Sequence, residues 1–98
     1  MSGSTRTSAD LDPRRKRILY RAWHRGMREM DLLMGRFADA EIGTMSISDL
    51  DAFERLIEVP DPDIYRWLTD DGEVPENYRT AVFLRLKEFH TYSVPLHR

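Results

Sequence analysis

The chain has 98 residues, is 41% hydrophobic and 33% charged, and carries a formal net charge of −2, the composition of one soluble globular domain with room for one small core. It has no cysteine, which excludes disulfides, thiol nucleophiles and cysteine-based metal sites and fits a reducing compartment. No apolar run approaches the ~18 residues of a membrane span.

The first residues, 1–11, are rich in Ser and Thr without apolar periodicity and read as a disordered tail. The start "MSGSTRTSADLDPRRKR" lacks the apolar core of a secretory signal, and Asp10, Asp12 and its short length argue against a mitochondrial presequence. Asp12-Pro13 then predicts a helix start, Asp as N-cap and Pro at the first helical position. Ile18, Leu19, Ala22 and Trp23 follow at helical spacing. The helix is expected to stop near Arg25, because Gly26 suits the left-handed conformation found just past helix ends.

A second helix is expected at once, with Met27, Met30, Leu33, Met34 and Phe37 on one apolar face. It frays around Ala40 to Gly43. The stretch "SISDLDAFERLIE" predicts a third helix, with Ser48 and Asp51 as a near capping box and Leu50, Phe53, Leu56 and Ile57 as its stripe. Asp61-Pro62 predicts a short fourth helix carrying Ile64, Trp67 and Leu68. "TDDGEVPEN" reads as a loop. A fifth helix is expected from about Asn77 to His90, with Tyr78, Val82, Leu86 and Phe89 facing the core and Ala81, Phe83 and Leu84 widening that face. No segment alternates like a strand. The fold class is therefore all-α, a small irregular five-helix bundle: a single helical domain over residues 12–92 with a C-terminal tail at 93–98.

The small net charge hides segregation. Residues 1–36 carry a net +5, residues 37–77 a net −10 and residues 78–98 a net +3. Such blocks either attract one another inside the fold or steer a charged partner during encounter, and the sequence leaves both open.

Enzymatic signatures are missing: no GxGxxG, Walker loop, HExxH or GxSxG. The three histidines announce no metal site. His24 reads as a solvated helix-end residue. The acid pairs Asp49/Asp51, Asp61/Asp63 and Asp70/Asp71 fall in caps and turns, where Asp is favoured for local hydrogen bonds. Trp23 and Trp67 read as core. The run "RRKR" at 14–17 is a candidate nucleic-acid contact, but the chain is acidic overall and no basic recognition helix follows. Its positive charges suit the start of a helix poorly, a weak sign of a partner-facing role.

The stretch "RGMRE", Arg25 to Glu29, joins the first two helices. Gly26 makes a left-handed turn at little steric cost. Arg25 suits the end of the first helix, and Glu29 the start of the second. Yet Arg25, Arg28, Glu29 and Asp31 gather four charges at one corner. Exposed ion pairs contribute only about 0–1 kcal/mol, so stability is a poor reason to gather them. The expected geometry is a rigid corner that aims Arg25 and Glu29 outward. On that geometry Arg25→Ala is an exposed substitution that shifts stability by no more than about 0.5 kcal/mol.

Arg25, Gly26 and Glu29 form an Arg-Gly-x-x-Glu element inside "RRKRILYRAWHRGMREMDLLMGRFAD", and "LIEVPDPDIYRWLT" follows as a second landmark. Over about Arg14 to Asp71 the sequence closely resembles the SdhE/Sdh5 family, the succinate dehydrogenase assembly factors that promote covalent attachment of FAD. The resemblance implies a non-enzymatic, chaperone-like assembly factor without a stably bound cofactor, the FAD being attached to the client. The implied client is the flavoprotein subunit of succinate dehydrogenase, or in some bacteria of fumarate reductase. Arg25, Gly26 and Glu29 would meet the client, with Arg21, His24, Arg28 and Asp31 as rim contacts. It further implies a five-helix domain in the bacterial cytoplasm or the mitochondrial matrix. From the residues themselves no membrane insertion and no nucleic-acid partner are expected, and a monomer is expected because nothing suggests a coiled coil. The other reading carried forward is a regulatory, antitoxin-like interaction module with no flavinylation role.

Overall fold

The computed structural model describes residues 10–69 and 73–92; most of the expected N-terminal tail, the C-terminal tail and the Asp70/Asp71 pair lie outside them. Among the described residues the chain forms five α-helices and no strand: α1 (Pro13–Trp23), α2 (Arg28–Glu41), α3 (Ile47–Ile57), α4 (Asp61–Thr69) and α5 (Ala81–Tyr92). Short 3₁₀ turns at Ile42–Thr44 and Glu76–Tyr78 precede α3 and α5.

Local chemistry explains each start. Asp12 is extended and its carboxylate accepts the Arg15 amide at 2.8 Å. That backbone bond, with the Arg15 guanidinium, holds the Asp12 carboxyl below the usual aspartate range. Helix α3 opens at Ser46, whose hydroxyl accepts the Asp49 amide at 3.1 Å. The expected Ser48/Asp51 box is thus displaced by two residues. Both serines have Asp three positions on, but only Ser46 has the extended backbone of a cap. Helix α5 begins later than expected, because the chain closes a 3₁₀ turn at Tyr78 and restarts with the Thr80 hydroxyl accepting the Phe83 amide at 3.1 Å. That restart buries Phe83 but leaves Leu84 and Ala81 exposed.

The apolar stripes meet in one core. Phe37 packs edge-on against Phe53 and Phe89, at centroid distances of 5.6 and 5.7 Å, and so joins α2 to α3 and α5. Trp67 meets Phe83 edge-on at 6.2 Å and lies tilted on Tyr78 at 5.4 Å, which fastens α4 to the start of α5. Leu11, assigned to the tail from the sequence, is buried against this core. Helices α1 and α2 approach closely at Gly35: a Cβ there would lie 2.2 Å from the Trp23 indole. A glycine within an apolar helix face is the sequence signal of such an approach.

The charge blocks bind one another. Arg14 of α1 reaches Asp51 and Glu54 of α3 at 2.6 and 2.5 Å, and those bonds, Asp51 foremost, raise its pKa further above neutrality. Arg21 pairs with Glu58. Arg85 of α5 reaches Asp49 at 3.0 Å and Glu41 at 3.3 Å. Arg15 donates to the Ile42 and Met45 carbonyls at 2.9 and 2.6 Å, closing the segment between α2 and α3 over α1.

Two substitutions test this packing. Gly35→Ala should force the Trp23 ring aside and lower unfolding free energy in urea by about 1–3 kcal/mol. Ser46→Ala should cost about 1 kcal/mol and Ser48→Ala less than about 0.5 kcal/mol; the reverse order in the same titration would restore the Ser48 cap.

Candidate functional site: the α1–α2 corner

Helix α1 ends at Trp23, with His24 as its C-cap. Gly26 has φ +104°, and no non-glycine residue among those described has positive φ. An added Cβ there would meet nothing within 4 Å, so the requirement for glycine is conformational. Helix α2 starts at Arg28, capped by the extended Met27 without a side-chain bond.

Arg25 does not point outward. Its side chain is only 6% exposed and runs inward to the turn between α3 and α4. Nε donates to Asp61 Oδ1 at 2.6 Å. One terminal nitrogen donates to the Ile57 carbonyl at 2.5 Å, the other to the Val59 carbonyl at 2.6 Å. Those carbonyls close α3, where helix geometry leaves acceptors unpaired and the dipole favours a cation. Asp61, 12% exposed, stands in the first turn of α4, where the dipole favours an anion. One guanidinium thus joins the end of α3 to the start of α4. The expectation of an outward Arg25 is corrected: the planar fork of donors fits a turn rich in carbonyls better than it fits water.

Asp31 also has an internal role. Its Oδ1 accepts the amides of Arg25 and Gly26, at 2.5 and 3.1 Å. It therefore fixes the backbone of the corner, a function that competes with rim contact to a partner. The run after Gly26, which the sequence left without a structural purpose, has one in Asp31.

The remaining candidates lie outside. Gly26, Arg28 and Glu29 are exposed, and neither the Arg28 nor the Glu29 side chain makes a hydrogen bond or ion pair among the described residues. His24 is exposed and stacks on Tyr20 at 3.9 Å, with its Nδ1 2.7 Å from the Tyr20 carbonyl. Arg21, His24, Arg25, Ile57, Pro60 and Asp61 line a shallow groove of about 240 Å³, below the roughly 300–1,000 Å³ of ordinary small-molecule pockets. Of the seven candidates from the sequence, Arg21, His24 and Arg25 line this groove, Asp31 bonds the amides of Arg25 and Gly26, and Arg28 and Glu29 lie outside the groove with exposed side chains. The structure adds Asp61, whose only signal was its place in the "VPDPD" turn; the Ile57 and Val59 carbonyls left no sequence signal.

Residues 16–90 match the protein family described as flavinator of succinate dehydrogenase, Sdh5. The chain belongs to this family. A succinate dehydrogenase assembly factor 2, mitochondrial, from Dictyostelium discoideum is 40% identical over 88 residues, covering 90% of this chain and 62% of the relative. The protein of the same name from Danio rerio is 45% identical over 86 residues, 86% of this chain and 54% of the relative. The FAD assembly factor SdhE of Acetobacter pasteurianus is 38% identical over 79 residues, 81% of this chain and 72% of the relative. The chain thus spans less than two thirds of the two mitochondrial relatives. The flavinator match runs past the 14–71 stretch of sequence resemblance and takes in most of α5.

Because Arg25 and Asp61 are buried together, Arg25→Ala should leave an uncompensated carboxylate and lower stability by about 3 kcal/mol. Glu29→Ala should change it by less than about 0.5 kcal/mol. Chemical denaturation of both variants checks the contrast.

Proposed function

We propose that this chain binds the flavoprotein subunit of succinate dehydrogenase and promotes its covalent flavinylation, docking through the corner of Gly26, Arg28 and Glu29. One observation carries the reading. The corner is fixed from within by Arg25 and Asp31, yet the Arg28 and Glu29 side chains are left without partners among the described residues. Family membership and the names of the assembly-factor relatives support it.

The chemistry is that of preorganisation. The bond to flavin would form on the client, between one of the client's own side chains and the FAD that the client holds. A group held near its attack geometry reacts faster because orientation is already fixed. A small protein supplies this by binding one client conformation more tightly than another. Glu29 offers a fixed anion, and exposed Gly26 lets a client backbone approach without a side chain between. Arg21 and His24 form the rim beside the groove. Arg25 contributes as the residue that positions the corner, and Asp31 with it. FAD stays with the client, and this protein acts as a monomeric assembly factor and not as an enzyme. The flavoprotein of fumarate reductase is a second client by the same chemistry, and the site of action is the compartment where the flavoprotein folds, the bacterial cytoplasm or the mitochondrial matrix.

Co-expression of the flavoprotein subunit with this protein should raise the covalent flavin fluorescence that survives denaturation. Glu29→Ala should remove most of that gain while melting like the wild type. No gain with the wild-type protein would sink the proposal.

A further inference from the structure

The basic run at 14–17 divides in two. Arg14 and Arg15 are engaged inside the fold, with Asp51, Glu54, Asp12 and the Ile42 and Met45 carbonyls. The Lys16 and Arg17 side chains are exposed and make no hydrogen bond or ion pair among the described residues. Helix α1 buries Ile18, Leu19, Ala22 and Trp23, which turns Lys16, Arg17 and Tyr20 to the opposite face at three- and four-residue spacing. His24 extends that face through its stack on Tyr20. Tyr20 stands in its middle, 64% exposed.

Nothing inside the fold explains this stripe. Helix α1 has no acidic residue in its first turn, and cations near a helix start oppose the dipole. Among the described residues the one carboxylate paired on this side is Glu58, bound to Arg21. An exposed tyrosine among cations has the composition of an interface anchor with a charged rim. The stripe spans about 12 Å at 1.5 Å per residue and runs toward the corner, where Arg28 adds another cation whose side chain has no partner among the described residues.

We propose that the outer face of α1, centred on Lys16, Arg17 and Tyr20, is a second docking surface that receives an acidic segment of the same client protein that meets the corner. The inference rests on the proposed client and adds where else that client touches the chain, and with what charge. A protein surface fits better than nucleic acid. His24 already covers one face of the Tyr20 ring, the face on which a base would stack.

The test is binding of the full chain to purified flavoprotein subunit of succinate dehydrogenase, at low and high salt, for the wild type, Lys16→Glu/Arg17→Glu and Tyr20→Ala. The charge-reversed variant should bind about tenfold more weakly at low salt, mainly through slower association, and the deficit should shrink at roughly 0.5 M salt. Its melting temperature should equal or exceed that of the wild type, because acids suit the first turns of a helix. Tyr20→Ala should weaken binding at both salt concentrations. Wild-type affinity in the charge-reversed variant at low salt, with flavinylation still stimulated, overturns this proposal and leaves the proposed function standing. Failure of the wild-type chain to bind the subunit overturns both. Binding of random duplex that the charge reversal abolishes, with subunit binding unchanged, overturns it in favour of a nucleic-acid surface.

Discussion

The corner between α1 and α2 depends on one buried guanidinium. Arg25 leaves the chain at the end of α1, yet its donors complete another part of the fold, the carbonyls that close α3 and the carboxylate that opens α4. Without it, two helix ends would face each other across a turn with unpaired acceptors and a buried anion. With it, the two sequence landmarks, one around Gly26 and one around Asp61, become a single structural unit. Asp31 completes the arrangement from the other side by holding the amides of Arg25 and Gly26.

A division of labour follows among residues that look alike in sequence. Four charges gather near the corner. Two of them, Arg25 and Asp31, point inward and set its shape; the other two, Arg28 and Glu29, are exposed and their side chains find no partner among the described residues. The same division recurs along α1. Arg14 and Arg15 draw α3 and the segment before it onto the helix, while Lys16 and Arg17 remain in solvent. Most of the charge segregation thus serves internal attraction between a basic start, an acidic middle and a basic end. The outward remainder is small, cationic along α1 and mixed at the corner. A rigid base with a few unpaired charges binds a partner at low ordering cost, which suits the proposed role of selecting one conformation of a client.

The helices themselves were legible in the sequence because their signals are local. Asp12-Pro13, the period of Met30, Leu33, Met34 and Phe37, and the left-handed Gly26 each depend on a few neighbouring residues. Where two local solutions competed, the sequence was ambiguous: Ser46 and Ser48 both precede an Asp by three, and Tyr78 fits a helix stripe as well as the 3₁₀ turn it occupies. Arg25 was misjudged for a different reason. Its partners are more than 30 residues away, two of them backbone carbonyls of Ile57 and Val59, which no residue type announces. The corner itself was readable from the Arg-Gly-x-x-Glu element, because Gly26 marks the left-handed turn. Which of its charges face inward required the three-dimensional path of the α3–α4 turn.

The central claim is that the corner is rigid before any partner arrives. Backbone ¹⁵N relaxation of the free protein measures this most directly. A corner held by Arg25 and Asp31 requires order parameters for residues 25–29 near about 0.85, like those of the flanking helices, and a marked fall at those residues in Asp31→Ala. Values below about 0.6 in the wild-type protein would contradict it, because the corner would then gain its shape only on binding.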